Sequence, residues 1–229
     1  MKYDLTFITP CFNQGIYLED CLKSINANRT SLKYEIVVIN DCSTDNTHDQ
    51  ITELSTRYKF RYIQNETNQK LPETRNIGLR NSDSKYVICL DADDMIPQNY
   101  IEANYINIIT NGVDVSYNDS QCFGSTDSRL TWPEFNLNYL RYGPFIHCAA
   151  MYKRELWNKT QYDKNMIHGW EDYDFWLSAA KNGATFKKCN RTHLFYRQKA
   201  NSMIVDTNSK LDTIVKPMLR VKHPGFYVG

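Results

Sequence analysis

Along the first 120 residues the pattern of apolar positions switches repeatedly between two periods. Leu5–Thr9 is an apolar run of strand length. Leu18, Cys21, Leu22 and Ile25 then fall at i, i+3, i+4 and i+7, one face of a helix over 15–27. Glu35–Ile39 predicts a second strand, too continuously apolar to be half exposed. Ser43 and Asp45 are cap-type residues opening a helix with Ile51, Leu54 and Tyr58 on one face. Phe60–Ile63 predicts a third strand, and Pro72 fits the first turn of a helix running to about Arg80. Tyr86–Leu90 is a fourth strand. Pro97 opens a helix with Ile101, Tyr105 and Ile108 inward, and Val113–Tyr117 is a fifth strand.

Strand and helix alternating with connections of this length imply an α/β fold: a mostly parallel central sheet with helices on both faces. Such sheets bind ligands beyond the carboxyl ends of their strands. The polar clusters lie at those ends: Thr9-Pro10-Cys11-Phe12-Asn13, Asn40-Asp41 and Asp91-Ala92-Asp93-Asp94. The second half is less regular. Residues 120–132 read as a hairpin or loop, His147–Tyr152 as a strand, and Gly169–Asn182 as a helix ended by Gly183. Thr185–Lys188 and Leu194–Tyr196 read as short strands.

The chain has 229 residues, the length of one domain, and 41% of them are hydrophobic, enough for a real core. The net charge of +1 argues against a nucleic-acid binder. No apolar run approaches the ~18 residues of a membrane span. The seven cysteines include no C-x-x-C pair, so a zinc site is not expected and the thiols read as reduced. A strand begins almost at the N-terminus, which leaves no room for a signal peptide. The expected location is cytoplasmic, at most on the cytoplasmic face of a membrane. The near-neutral total hides an asymmetry: residues 181–229 carry 10 basic and 2 acidic side chains.

Two carboxylates one residue apart at a strand end, Asp91-x-Asp93, suit a hard divalent cation. Chance supplies about one such pair in a chain with 17 Asp, so its position after a buried strand carries the weight. Glu171-Asp172 opens a helix, where the dipole favours ionised carboxylates. Arg75, Arg197 and Lys199 are cations of the kind that suits a diphosphate. His147 alone reads as a packed or hydrogen-bonded histidine. There is no G-x-G-x-x-G and no G-x-x-x-x-G-K-[ST], so dinucleotide and P-loop readings lose support.

In order, TFITPCFNQGIYLEDCLKSI, EIVVINDCSTDNT, TRNIGLRNSDSKYVICLDADD, HGWEDYDFWL and YRQKANSM resemble the family 2 inverting glycosyltransferases of the type A, nucleotide-diphospho-sugar transferase fold. The matching stretches span residues 6 to 203. The resemblance implies a single domain: a nucleotide-binding half over 1–118, an acceptor and catalytic half over 119–205, and a basic tail over 206–229. It implies that Thr9, Pro10 and Asn13 line the nucleoside pocket and that Asp41 bonds the base, with Arg75 nearby. Asp91 would hold the ribose or lie close to the metal, and Asp93 would ligate Mn2+ or Mg2+ on the diphosphate. Asp172 of the Glu171-Asp172 pair would be the catalytic base, with Arg197 and Ser202 closing over the diphosphate. Two positions depart from the family pattern. Asn40 stands where Asp is usual, and Lys199 where His is usual. A charged lysine has no lone pair for a metal, but it can pair with phosphate.

The activity implied is transfer of a sugar from a nucleotide-diphosphate sugar, with UDP as the expected nucleotide, to a hydroxyl of a glycan or lipid-linked acceptor. A non-catalytic sugar-nucleotide-binding module is the alternative, and an intact Glu171-Asp172 pair argues against it. A nucleotidyltransferase would need a basic, Gly-rich first loop, and TPCFNQG has neither Lys nor Arg. Trp132, Tyr139, Tyr142 and Trp170 are candidates to stack on a sugar. The tail cations Lys210, Lys216, Arg220 and Lys222 would suit an anionic membrane surface.

Overall fold

The computed structural model describes residues 2–199 and 203–229. Strand alternation sorts its interior into two cores. Along β1 (Tyr3–Cys11), β2 (Tyr34–Asn40) and β4 (Ser84–Cys89), successive side chains face opposite sides of the sheet. Ile8, Val37, Ile39, Val87 and Cys89 enter one core; Phe7, Ile36, Val38, Tyr86 and Ile88 enter the other. The second core is closed by α1 (Gly15–Asn26), α2 (Thr47–Leu54) and α4 (Tyr100–Asn111), which bury Leu18, Leu22, Ile51, Leu54 and Ile101. The first is closed by α3 (Leu71–Arg80), α6 (Glu155–Thr160) and α7 (Glu171–Lys181), the last with Tyr173, Phe175, Trp176 and Leu177 all buried. These labels count β3 (Arg61–Gln64), β5 (Val115–Gly124), β6 (Arg129–Leu130), α5 (Leu137–Tyr142), β7 (Met151–Lys153) and β8 (Phe186–Gln198) in chain order.

The sheet runs β3-β2-β1-β4-β7-β5-β6, with β8 paired to β5. Strands β3, β2, β1 and β4 are parallel, β7 is antiparallel to both its neighbours, and β8 runs parallel to β5. The predicted α/β architecture is the observed one. Three expectations change. The two short strands at Thr185–Lys188 and Leu194–Tyr196 are one continuous strand, β8. Its polar stretch over 189–192 bulges out of the pairing with β5, which stops at Tyr117↔Lys188 and resumes at Asp119↔His193. His147–Tyr152 is a strand only from Met151. Before it the chain turns, with the Ala150 amide donating to His147 O at 3.1 Å, and the turn takes His147 and Cys148 out of the sheet.

The basic C-terminal segment is the third. It is packed structure, not a tail: α8 (Met203–Lys210), a π-helical turn over Leu211–Val215, and α9 (Lys216–Lys222). Val215, Leu219 and Tyr227 join the first core. Lys222 turns inward to Asp163 and Asp174, at 2.9 and 2.6 Å, and so is withdrawn from the surface charge expected there. Among the described residues no helix is long and apolar enough to cross a membrane.

Asn76 of α3 fastens the second half to the first. Its Nδ2 donates to Tyr162 O at 2.8 Å, and its Oδ1 accepts from Trp157 Nε1 at 2.9 Å and Tyr162 N at 3.1 Å. Asn76→Ala would leave buried polar groups unpaired and is expected to cost about 3 kcal/mol. Urea denaturation checks this; a loss under ~1 kcal/mol would mean that water replaces the amide.

Candidate active site

The carboxyl ends of β1, β2 and β4 open onto a cavity of about 710 Å3. Its three regions come from different parts of the chain. Pro10, Phe12, Asp41 and Lys70 line the end beside β1 and β2. Arg75, Asp91, Asp93, Glu171 and Asp172 line the middle, beyond β4. Leu130, Trp132, Phe145, Ile146, His147 and Tyr196 line the far end, beside β5 and β6.

Arg75 organises the middle. It is 1% exposed, and its guanidinium reaches Asp91 at 2.8 Å on one side and Glu171 on the other. The Tyr162 ring lies 5.5 Å below it. A planar fork suits two carboxylates at once, and burial makes each bond harder to lose. Arg75 was expected near the base; its fork is committed to carboxylates instead. Glu171, expected beside Asp172 in catalysis, is 4% exposed and held by Arg75, so it orients the start of α7.

That orientation leaves Asp172 at the cavity wall. It lies in the first turn of α7, and its Oδ1 accepts from the Tyr173 amide at 2.7 Å. Burial, then the charge of Glu171, push its carboxyl up to about 7, against the pull of Arg75. Such a group can exchange a proton near neutral pH. The turn before it is unusual: Gly169 and Trp170 both have positive φ, 101° and 59°. A Cβ on Gly169 would strike Thr207 of α8, so only glycine admits the C-terminal helix this close. Fully buried Asp174, two residues on in the same turn, pairs with His223 at 2.8 Å and with Lys222. The C-terminal helices therefore clamp the helix that carries Asp172.

The acidic loop after β4 is charge-compensated from β8. Lys199 lies 2.5 Å from Asp93 and 5.1 Å from the Tyr17 ring. Burial and the charge of Asp91 raise the Asp93 carboxyl above its ordinary range, and Lys199 opposes them. Arg197 donates from Nε to Asp93 O at 2.7 Å and from its terminal nitrogen to Asp20 at 2.8 Å. Its guanidinium lies between Tyr17 and Phe123, 4.7 and 4.5 Å from the ring centres. Arg197 was expected to close over a diphosphate; here it latches β8 to the acidic loop.

Asp41 lines the cavity, and its Oδ1 accepts from Asn65 Nδ2 at 2.8 Å and from Gln69 N at 2.7 Å. It thus holds the 65–70 loop as well as facing the pocket. Pro10 lines the cavity, but Thr9 and Asn13 do not. Thr9 is fully buried within β1. Asn13, at φ 54°, ties its loop to the next one: its amide donates to Ser43 Oγ at 2.9 Å and its Oδ1 accepts from Thr44 N at 2.8 Å. Ser202 lies outside the described residues. Sequence reasoning missed Asn65, Gln69, Cys148, Asp174 and His223, whose roles rest on partners far along the chain. Of the stacking candidates, Trp132 and Trp170 line the cavity, whereas Tyr139 and Tyr142 are exposed elsewhere.

Among the described residues no three His, Cys, Asp or Glu side chains converge on a metal position. The donor set offered is one or two carboxylate oxygens, from Asp93 and Asp91. Oxygen ligands fit a hard cation such as Mg2+, which keeps its waters and takes the rest of its shell from substrate phosphates. The residues fit a metal carried in with a diphosphate, not a standing protein cage.

Residues 6–168 match the family described as Glycosyl transferase family 2. The chain belongs to this glycosyltransferase family. Glycosyltransferase GlyA of Streptococcus pneumoniae serotype 4 is 36% identical over 124 residues, 54% of this chain and 18% of that protein. Poly-beta-1,6-N-acetyl-D-glucosamine synthase of Staphylococcus epidermidis is 35% identical over 95 residues, 40% of this chain and 22% of that protein. The chain thus covers about a fifth of each relative's length. S. aureus TarS 1–349 in complex with UDP-GlcNAc superposes with a TM-score of 0.75 at 19% identity, over 88% of this chain and 60% of that one. The complex with UDP gives 0.74 over 96% and 75%. These structures share the type A fold. The family match ends just before α7, so the Arg75–Glu171 bridge joins the matched region to the rest of the chain.

The folded state holds the Asp172 proton more tightly than the unfolded chain, whose carboxyls titrate near pH 4. Asp172 therefore supports folding fully below about pH 4 and loses that support as pH rises through about 7. Asp172→Asn removes this loss. The variant is expected to gain stability relative to the parent between pH 5 and pH 8, read as denaturation midpoints. An unchanged difference across that range would contradict the shift.

Proposed function

We propose that this glycosyltransferase moves a sugar from a UDP-sugar to an acceptor hydroxyl with inversion at the anomeric carbon. One observation carries the reading: a single buried guanidinium ties the acidic loop after β4 to the helix bearing Asp172. A diphosphate held at the acidic loop and a hydroxyl held at Asp172 would then meet within one cavity. UDP is the nucleotide named for the TarS complexes, and N-acetylglucosamine the sugar named for both TarS and the synthase, which makes UDP-GlcNAc the first donor to test. A glycan acceptor fits the same relatives.

In this mechanism the acceptor hydroxyl gives its proton to Asp172. The oxygen attacks the anomeric carbon from the side opposite the diphosphate, and the bond to UDP breaks in the same displacement. A single base suffices, since no covalent sugar–enzyme intermediate forms. Arg75 and Glu171 keep Asp172 in line. Lys199 faces Asp93, and it becomes the nearest protein cation for the departing diphosphate. A bound Mn2+ or Mg2+, held by Asp93 with Asp91 close by, would supply further compensation of that charge. Peripheral contact with an anionic membrane would draw on the exposed Arg220 rather than on Lys222, which turns inward, or Lys216, which pairs with Asp212 at 2.7 Å.

Asp172→Asn is expected to keep UDP affinity and cut transfer at least ~100-fold. Transfer close to normal would sink the assignment. Asp93→Ala is expected to lose the part of UDP binding that depends on Mn2+, measured by calorimetry with and without the metal. An undiminished metal increment would remove Asp93 from that role.

A further inference from the structure

Both aspartates offered to a divalent cation are already paired, and the two pairings differ in kind. Asp91 is held by Arg75, a buried guanidinium that also holds Glu171. That cation cannot leave without stranding a buried carboxylate. Asp93 is held by Lys199, whose Nζ lies 2.5 Å from Oδ2. Both members of this pair line the cavity. Of the two cations, the lysine is the one that can move its charge. An ammonium on a four-carbon stem re-aims its three donors, whereas a fork fixed by two carboxylates does not.

Lys199 is nonetheless held in place. Its Nζ lies 5.1 Å from the centre of the Tyr17 ring. Two residues back along the chain, Arg197 fastens the backbone to the acidic loop. Its amide donates to Asp94 at 2.9 Å and its Nε to Asp93 O at 2.7 Å. The stem of Lys199 therefore starts from a fixed point beside Asp93. With Arg75 on one aspartate and Lys199 on the other, the pair presents little net negative charge to a dication. Affinity for a hard cation follows the charge of its ligands, so the two carboxylates bind it poorly while both are paired. A dication and an ammonium also repel each other across a shared carboxylate. A diphosphate supplies what is missing: oxygen ligands for the metal and negative charge for the ammonium.

We propose that Lys199 competes with the divalent cation for Asp93, and that the nucleotide diphosphate ends the competition by taking up the lysine. Metal and nucleotide then bind cooperatively, each improving the other's affinity by the same factor. The inference rests on the reading of the acidic loop as the place of the diphosphate. It goes beyond that reading in giving Lys199 two partners in turn, Asp93 and then phosphate, with the exchange driven by the metal. A histidine at this position would act with the opposite sign, since a neutral imidazole is itself a metal ligand.

Mn2+ titrations of the full chain without nucleotide, with free Mn2+ read by electron paramagnetic resonance, test the competition. Lys199→Met keeps most of the stem and removes the charge. It should bind Mn2+ about tenfold more tightly than the parent. Lys199→Gln serves as a second neutral variant, and thermal melts report which variants fold. Lys199→Arg keeps a cation beside Asp93 and should stay as weak as the parent. Asp93→Asn added to Lys199→Met should erase the gain, which places the competition at this carboxylate. Calorimetry with UDP reads the other half: the factor by which Mn2+ improves UDP affinity should shrink about tenfold in Lys199→Met. No gain in Mn2+ affinity in the neutral variants, a gain that survives Asp93→Asn, or an unchanged UDP factor overturns the proposal. So does a parent that binds Mn2+ alone as tightly as it does with UDP. Failure of the transferase reading looks different: the metal and UDP results would stand, and the parent would turn over no UDP-sugar.

Discussion

One buried guanidinium between a buried and a partly buried carboxylate holds this structure's chemistry in register. Arg75, Asp91 and Glu171 come from α3, the end of β4 and the start of α7, and none could be buried alone at tolerable cost. Together they balance one another: one terminal guanidinium nitrogen for each carboxylate, with the buried Nε left unpaired. The arrangement is unforgiving, since removing any member strands the other two. It ties the β1–β4 side of the sheet to the helix of Asp172. A displacement reaction needs that, because its reacting groups must meet within a fraction of an ångström.

The rest of the site is built outward from that bridge. Behind α7, the pairing of Asp174 with His223 and Lys222 brings the C-terminal helices in as a clamp, and Gly169 lets α8 approach. On the other side, Arg197 of β8 and Lys199 just beyond it balance a loop of three neighbouring aspartates. Asp94, the most deeply buried of the three, accepts the Arg197 amide at 2.9 Å. The charge of Asp93 is balanced by Lys199, with Gln14 Nε2 donating to the same carboxylate oxygen at 3.5 Å. Charge balance that one side chain can release suits a site that must take up a diphosphate and let it go.

Much of this was legible in the sequence, and the reasons are physical. Period-two and period-3.6 patterns report which face of an element is buried, so β1 to β4 and α1 to α4 were readable in place. The polar residues that interrupt apolar strands at their carboxyl ends marked the cavity, and Pro10, Asp41, Asp91, Asp93 and Asp172 do line it. What sequence could not supply was partnership. Arg75 and Arg197 read as cations for phosphate because their carboxylate partners are distant in the chain. Lys222 read as surface charge because nothing local announces Asp174. The long strand β8 was hidden by its Asn190-Arg191-Thr192 interruption, a bulge whose residues have no partner on β5, with pairing resuming at His193.

The central claim is a single displacement in which one carboxylate acts as base and none as nucleophile. The anomeric configuration of the first-formed sugar tests it most directly. With α-linked UDP-GlcNAc as donor, proton NMR during the first turnovers, before mutarotation, would read the product released to water or to a glycoside. The account predicts the β anomer. An α product would require two successive displacements, and with them a nucleophile that Asp172 alone, paired with the Arg75–Glu171 bridge, does not provide.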